Sequence, residues 1–251
     1  MITIKNPEEI QIMATGGKIL ASVLSRVAEA TKVGITLKEL DQLAEKLTRN
    51  AGAIPAFLNY RPDGAAKPYP ASLCASVNDI VVHGIPNTYK LRSGDILTLD
   101  YGVKYKNFYT DSAVTIAIGK INETAQKLID TTKKALLAGI KQAKIGNHIG
   151  DIGHAIKEVT TIKKFKIIEG LTGHGIGREL HEDPTIWNEG RAGTGEKITE
   201  GMVLAIEPMI SAGSSKIIQL KDDSYATYDG SLSAHFEHTV AITKNGPVIL
   251  T

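Results

Sequence analysis

Four acidic residues interrupt segments of the sequence that are otherwise apolar. Asp100 ends the run Ile-Leu-Thr-Leu-Asp, and Asp111 lies just before Ala-Val-Thr-Ile. Glu207 follows Val-Leu-Ala-Ile, and Glu237 stands two positions before Thr-Val-Ala-Ile. Such runs predict strands, whose interiors disfavour Asp and Glu. Because an unpaired buried carboxylate costs several kcal/mol, four of them in such segments indicate a shared purpose.

Divalent metal binding is the chemistry that these acids favour. Four ionised carboxylates at one place would repel each other or take up protons, and two divalent cations would balance their charge. His174 adds one imidazole in the segment Leu-Thr-Gly-His-Gly-Ile-Gly, whose glycines allow a close backbone approach. Oxygen-rich ligation with a single histidine suits Mn(II), Fe(II), Co(II) or Zn(II).

The elements around these residues place two of the acids on one hairpin. Residues 95–118 form two strand-like runs with a turn near Tyr105 and Lys106. Asp100 and Asp111 are eleven positions apart, which allows the two side chains to face each other across the hairpin. The pattern alone leaves the register of the two strands open.

Helix signals precede each predicted group of strands. Asn6 is placed to cap a first helix, Thr36 begins a second in a capping box with Glu39, and Asn122 begins a third. A fourth helix is predicted from residue 147 or 148 to about residue 163. Further strands are predicted from residue 72, over 202–210, near 216–220 and over 234–250. The repeated order of two helices and a sheet predicts one α+β domain over residues 1–251.

Composition excludes several classes of protein. The 251 residues carry 29 Lys+Arg against 27 Asp+Glu, a net charge of +2, and 42% are hydrophobic. This excludes a disordered chain, a coiled coil or a fibre, and it gives no argument for nucleic-acid or membrane binding. No apolar run reaches the roughly 18 residues of a membrane span, and no secretory signal is read. The single cysteine, Cys74, is typical of the reducing cytoplasm.

The motifs, their order and their spacing resemble the type I methionine aminopeptidases, which are family M24 metallopeptidases with the pita-bread fold. The resemblance covers nearly the whole chain. It lies in the following segments: Val82-His83-Gly84-Ile85-Pro86, the hairpin with Asp100 and Asp111, Gly173-His174-Gly175-Ile176-Gly177 with His181, Glu207-Pro208, and Phe236-Glu237-His238-Thr239. It implies two pseudo-symmetric halves with a curved antiparallel sheet covered by helices. The 33 positions from His174 to Glu207 leave no room for the helical insertion of type II enzymes.

The resemblance also implies a set of metal ligands. Asp100 would chelate one metal, Asp111 and Glu237 would bridge two metals, and His174 with Glu207 would complete the second. The metals would be two divalent ions, Co, Mn, Fe, Zn or Ni. The implied reaction removes the N-terminal methionine from nascent proteins and peptides, with a small second residue preferred, by attack of a metal-activated hydroxide on the first peptide bond.

Further roles follow from the same resemblance. His83 and His181 would flank the scissile bond, and Glu207 would carry the proton. The methionine pocket would be lined by Tyr60, Tyr69, Cys74 and Leu180, although aromatic and leucine side chains at such places also suit a plain core. A monovalent cation would be held by Asn78, the carbonyl of Ile80 and Ser233. His235 shares a strand face with Glu237, so a supporting role near the metals stays open.

Three departures and several alternatives accompany the resemblance. Leu171 stands where the family usually has an aromatic residue or Met. The loop over residues 61–70 is longer than is usual in the family and could alter the mouth of the pocket, and Trp187-Asn188-Glu189 replaces the expected Tyr-like or His residues. The expected partner is a nascent polypeptide, with a transient ribosome contact left open, and the chain is expected to be a monomer. The alternatives are an Xaa-Pro aminopeptidase or prolidase of the same fold, which usually carries a further N-terminal domain, and a non-catalytic peptide-binding module.

Overall fold

Helices and antiparallel sheets alternate in the computed structural model, which describes residues 1–61 and 67–251. The helices are α1 (Pro7–Ala30), α2 (Leu37–Asn50), α3 (Glu123–Gln142) and α4 (Ile149–Ile162). The strands are β1 (Ile54–Pro55), β2 (Cys74–Val77), β3 (Ile80–Val82), β4 (Ile96–Tyr105), β5 (Phe108–Ala117), β6 (Lys166–Ile167), β7 (Thr172–Gly175), β8 (Glu182–Trp187), β9 (Val203–Ile206), β10 (Met209–Ser211), β11 (Ile217–Gln219), β12 (Tyr225–Thr227), β13 (Ser233–His235), β14 (His238–Thr243) and β15 (Gly246–Ile249). The order of two helices and then strands, occurring twice, confirms the predicted α+β class.

The helices begin where the sequence predicts. Asn6 Oδ1 accepts the N–H of Glu9 at 2.9 Å, and Glu9 Oε2 accepts the N–H of Asn6 at 2.9 Å, which makes a full capping box. Thr36 caps α2, Asn122 caps α3 and His148 is the first flanking residue of α4. Within the described part of the chain, no helix is long and apolar enough to cross a membrane.

The first half of the chain forms a sheet in which β4 pairs with β1, β2 and β5. The turn between β4 and β5 lies at Lys106 and Asn107, both with positive φ, one residue later than predicted. Asp100 therefore pairs with Ala113, and Asp111 pairs with Gly102. The face-to-face pairing of the two acids that the spacing allows therefore does not occur, because the later turn shifts the register. They are instead diagonal neighbours on one face of the hairpin.

The second half forms a five-stranded sheet in the order β15-β14-β9-β7-β8. The predicted strand over residues 202–210 is divided into β9 and β10 at Glu207 and Pro208, because proline has no N–H for the ladder. Beyond this break, β10 leaves the sheet of β9 and pairs with β6 and β13. The predicted strand over 234–250 is likewise three strands, and Glu237 lies between β13 and β14.

Each half buries its helices against its own sheet. One cluster of buried residues joins α1 and α2 to β2 and β4, and another joins α3 and α4 to β9 and β14. The halves meet through hydroxyl groups. Thr239 Oγ1 accepts the N–H of Asp111 at 2.9 Å and donates to its carbonyl at 2.8 Å. Ser112 Oγ donates to the carbonyl of Glu237 at 2.8 Å, so the seam runs through two of the acidic residues.

Candidate metal centre

The four acidic residues converge at the seam between the halves. Asp100, Asp111 and Glu237 are buried, and the side chain of Glu207 is 12% exposed. Burial raises the pKa of Asp100, Glu207 and Glu237 well above their usual range, and the charge of Asp111 raises each of them further. Burial likewise raises the pKa of Asp111 to about 7. These shifts show that the carboxylates act on one another inside the protein.

His174 projects from β7 toward the carboxylates in a fixed tautomer. Its Nδ1 lies 2.8 Å from the carbonyl oxygen of Gly175, which can only accept, so Nδ1 carries the proton. Nε2 then presents a lone pair 3.4 Å from Glu207 Oε1. Burial lowers the pKa of His174 to about 4, so the ring is neutral at pH 7. Single ligand atoms of Asp111, His174 and Glu237 all lie within 4.8 Å of one another.

These donors fit divalent cations. Asp100 Oδ1 and Glu237 Oε1 are buried, and neither accepts a hydrogen bond from the described residues. Residues 1–61 and 67–251 also provide no Lys or Arg ion pair to any of the four acids. A lone pair of His174 that faces a carboxylate oxygen would be repulsive without positive charge between them. Hard carboxylate oxygens with one neutral imidazole are the ligand set that divalent first-row metals prefer.

A loop between β7 and β8 brings His181 beside His174. The two rings meet edge to face with centroids 4.5 Å apart, and Tyr60 Oη lies 2.8 Å from His181 Nδ1. Burial lowers the pKa of His181 to about 3, with a further contribution from His174 and His83. The predicted close backbone approach occurs at Gly175, where an added Cβ would overlap the carbonyl of Asp183 on β8.

His83 follows β3 in a left-handed conformation with φ of 60°. Its ring meets that of Tyr225 edge to face at 5.9 Å. Burial lowers the pKa of His83, and its charge also lowers the pKa values of His181 and His235. His83 therefore lies near enough to His181 and His235 to influence both rings.

Two residues beyond the predicted ligands lie against Glu207. His235 is buried, and its Nε2 lies 3.3 Å from Glu207 Oε2. The buried Asn188 donates from Nδ2 to the carbonyl oxygen of Glu207 at 3.0 Å. Sequence reasoning placed His235 on the correct face but missed Asn188, because a side chain that supports a backbone carbonyl leaves no motif.

Comparison with known proteins identifies the family of this site. The profile of Metallopeptidase family M24 matches residues 11–244. The chain belongs to metallopeptidase family M24. It is 44% identical over 252 residues to the methionine aminopeptidase of Clostridium perfringens, covering 100% of this chain and 99% of that protein.

Solved structures of M24 peptidases agree in fold. Methionine aminopeptidase from Thermotoga maritima superposes with a TM-score of 0.95 at 41% identity, over 100% of this chain and 99% of that chain. Prolidase from Pyrococcus furiosus reaches a TM-score of 0.76 at 24% identity, over 99% of this chain and 65% of that chain, which is a likeness of fold alone. The predicted pita-bread fold and the resemblance to methionine aminopeptidases are confirmed.

The residues predicted to line a methionine pocket in this M24 peptidase lie together. Tyr60, Tyr69, Cys74 and Leu180 belong to one apolar cluster with Phe57. Tyr69 Oη lies 3.0 Å from the carbonyl oxygens of Leu73 and Gly84. Cys74 pairs with Asp100 across β2 and β4, which places the cluster directly beside the acids. Of the predicted loop over residues 61–70, residues 62–66 lie outside the described residues.

The residues predicted to hold a monovalent cation also lie together. Ser233 Oγ lies 3.0 Å from the Ile80 carbonyl oxygen and 3.3 Å from that of Asn78. One hydroxyl proton can serve only one of these two acceptors. The side chain of Asn78 bonds instead with Asp95 and with the N–H of Ile96. Asn78 would therefore contribute its carbonyl oxygen to such a site.

Proposed function

We propose that this chain removes the N-terminal methionine from nascent proteins and peptides and prefers a small second residue. The observation that carries the proposal is the convergence of ligand atoms from Asp111, His174 and Glu237 within 4.8 Å, in a protein 44% identical to a methionine aminopeptidase. An assay of free methionine released from Met-Ala-Ser tests this proposal. The release is measured before chelation, after chelation and after addition of Mn(II). Equal release with and without metal would refute it.

We assign two divalent ions to the acidic cluster. Asp100 would bind one ion, Asp111 and Glu237 would bind both, and His174 with Glu207 would complete the second. When bound, Co, Mn, Fe, Zn or Ni ions supply Lewis acidity that lowers the pKa of water and polarises a carbonyl. The unpartnered oxygens of Asp100 and Glu237 support this assignment.

Glu207 is the proposed proton carrier. Burial raises the pKa of its carboxyl group, and the charges of Asp111 and Asp100 raise it further, which is the direction that a general acid–base carboxyl group requires. It would take the proton of the attacking water and deliver it to the nitrogen of the leaving amine. His235 at Oε2 and Asn188 at the backbone carbonyl would keep the carboxylate in place during this transfer.

The two other histidines are proposed to contact the peptide. His181 is neutral because of its low pKa, and a hydroxyl of Tyr60 that donates to Nδ1 leaves Nε2–H free to donate. That N–H would stabilise the oxygen of the scissile carbonyl as charge develops on it. His83 would hydrogen-bond at the amide nitrogen from the other side. Tyr60, Tyr69, Cys74 and Leu180 would enclose the methionine side chain.

Further proposals concern the setting of the reaction. Residues 1–251 would act as one catalytic domain, because both halves contribute proposed ligands. Asn78, Ile80 and Ser233 would hold a monovalent cation. The single cysteine supports a cytoplasmic location, and the family resemblance supports a monomer. The lysine-rich faces over residues 133–144 and 157–166 could make a transient ribosome contact. The prolidase alternative is not favoured, because that likeness is one of fold alone.

A further inference from the structure

A buried ion pair lies behind the loop that carries His181. The side chains of Lys5 and Glu182 are 1% and 5% exposed, and Lys5 Nζ contacts Glu182 Oε2. Thr3 Oγ1 donates to the same carboxylate oxygen and accepts from Lys5 Nζ at 2.5 Å. The backbone N–H of Lys5 donates to the carbonyl of Gly201 at 2.8 Å, which anchors the N-terminal segment to the second half.

The other carboxylate oxygen of Glu182 binds the backbone of the loop that carries His181. Glu182 Oε1 accepts the N–H of Arg178 at 2.7 Å and the N–H of Glu179 at 3.0 Å. Gly177, at the start of the loop, has φ of 157°, and an added Cβ there would overlap Cε of Lys5. Lys5 therefore packs against the loop backbone as well as neutralising the carboxylate.

The opposite charges of Lys5 and Glu182 stabilise each other inside the protein. Burial lowers the pKa of Lys5, while the hydrogen bond that Lys5 donates to Glu182 opposes that shift. Burial would raise the pKa of Glu182, but hydrogen bonds from Lys5, Thr3 and the backbone lower it overall. Removing one partner would leave the other buried and uncompensated, so Glu182 would turn toward water and release the two N–H groups.

We propose that Lys5 and Glu182 are positioning residues that hold the loop from Gly177 to His181 against the metal cluster. The loop connects β7, which carries His174, to β8, which begins at Glu182. His181 lies one position before the clamped residue, and its ring stands 4.5 Å from that of His174. The proposal rests on the proposed function for its kinetic consequence, but its geometric part stands without it.

The kinetic test uses Lys5→Met, which keeps the side-chain length and removes the charge. A shift of about 1 Å at His181 lowers kcat about ten- to a hundredfold, and we expect KM for Met-Ala-Ser and the metal stoichiometry to change less than about twofold. Arg178→Met is the matched control, because it breaks the exposed pair of Arg178 and Glu9 on the same loop. Its kcat should match that of the wild type. A Lys5→Met kcat equal to that of the control would overturn the proposal.

A double variant shows whether Lys5 acts through His181. If it does, Lys5→Met combined with His181→Ala is no slower than His181→Ala alone, because the positioned group is already absent. Independent multiplication of the two losses would contradict the proposal. If Lys5→Met does not fold, Thr3→Val is the milder substitution, because it removes only one hydrogen bond to the Glu182 carboxylate. The same two comparisons then apply to Thr3→Val.

A measurement without turnover separates this proposal from the proposed function. The histidine ring signals of the full chain are recorded by NMR, and the His181 signal is identified by its loss in His181→Ala. We expect this signal to shift or broaden in Lys5→Met while the His154 signal, on α4, stays unchanged. An unchanged His181 signal would overturn the positioning role even if the wild type released no methionine.

Discussion

Glu207 and His235 face each other within the acidic cluster, with 3.3 Å between Oε2 and Nε2. On the opposite side of the carboxylate, Oε1 lies 3.4 Å from Nε2 of His174. Each oxygen of Glu207 thus faces one imidazole. His235 belongs to β13, which pairs with β10, the strand that begins just after Glu207.

Substitution of His235 should therefore disturb Glu207 when the polar ring beside its carboxylate is lost. We expect His235→Leu to lower kcat about ten- to a hundredfold, the typical effect of losing a partner that orients a metal ligand. His235→Gln keeps an N–H donor and should stay within about threefold of the wild type. The measurement is steady-state kinetics with the metal content determined for each variant. Equal activity of His235→Leu and His235→Gln would show that the contact has no role.

The proposed substrate histidines should be separable from the metal ligands. His83→Ala and His181→Ala should keep the metal content of the wild type and lower kcat about a hundredfold or more, since each removes a donor from the reacting peptide. His154→Ala, which changes an exposed ring on α4, is the control and should keep full activity. Metal loss in His83→Ala would place that residue among the ligands instead.

The seam between the halves should depend on the hydroxyl of Thr239. Thr239→Val keeps the shape of the side chain but leaves the N–H and the carbonyl of Asp111 without their partner. We expect the free energy of unfolding to fall by about 2–4 kcal/mol. Thr185→Val, at an exposed position of β8, is the matched control and should change it by less than about 0.5 kcal/mol. Denaturant unfolding measures both, and equal midpoints would contradict the account of the seam.

The stability of the metal-free protein should fall as pH rises. The pKa of Asp111 is about 7 in the folded protein, and those of Asp100, Glu207 and Glu237 are also raised, so the folded state holds more protons than the unfolded state. Buried histidines such as His174 act in the opposite direction, but only below about pH 6.5, where the unfolded chain takes up their protons.

Between pH 6.5 and pH 8, the carboxylates alone decide the sign. We expect the Tm of the chelated protein to fall by about 3 °C or more across this window, because a loss of 1 kcal/mol lowers Tm by roughly 2–4 °C in a chain of this size. Bound divalent ions should abolish the fall, since they replace the protons. Asp111→Asn should reduce the slope in the chelated protein. A Tm that rises with pH under chelation would contradict the coupling of these acids.

Local signals explain why parts of the fold could be predicted. Caps such as Asn6 and Thr36 accept hydrogen bonds from N–H groups only three positions away. The residues that determine where these helices start therefore lie within one turn of each other. The register of β4 and β5 was not available in this way, because it depends on a turn at Lys106 and Asn107 that has no strong motif. Pro208 was a readable sign of the break between β9 and β10, since it cannot donate to a ladder.

In the candidate site too, residues with a local sequence signal could be predicted and contacts between distant positions could not. Acids in apolar strands are detectable because their burial is costly, and this drew attention to Asp100 and Glu237 before any geometry was known. Supporting contacts span long separations and leave no periodic signal. Lys5 and Glu182 are 177 positions apart, and Asn188 meets the carbonyl of Glu207 across 19 positions. Such pairs become visible only when the chain is folded.

Metal-dependent release of methionine would show directly that the acidic cluster is a peptidase centre. The purified chain is chelated, restored with Mn(II) and given Met-Ala-Ser or Ala-Pro-Ala, beside an Asp111→Asn variant and an exposed control, Glu179→Gln. We expect methionine release only with metal, no cleavage before proline, full activity in the control, and loss of both metal and activity in Asp111→Asn. Cleavage of Ala-Pro-Ala alone, or full activity of metal-free Asp111→Asn protein, would contradict the proposed function.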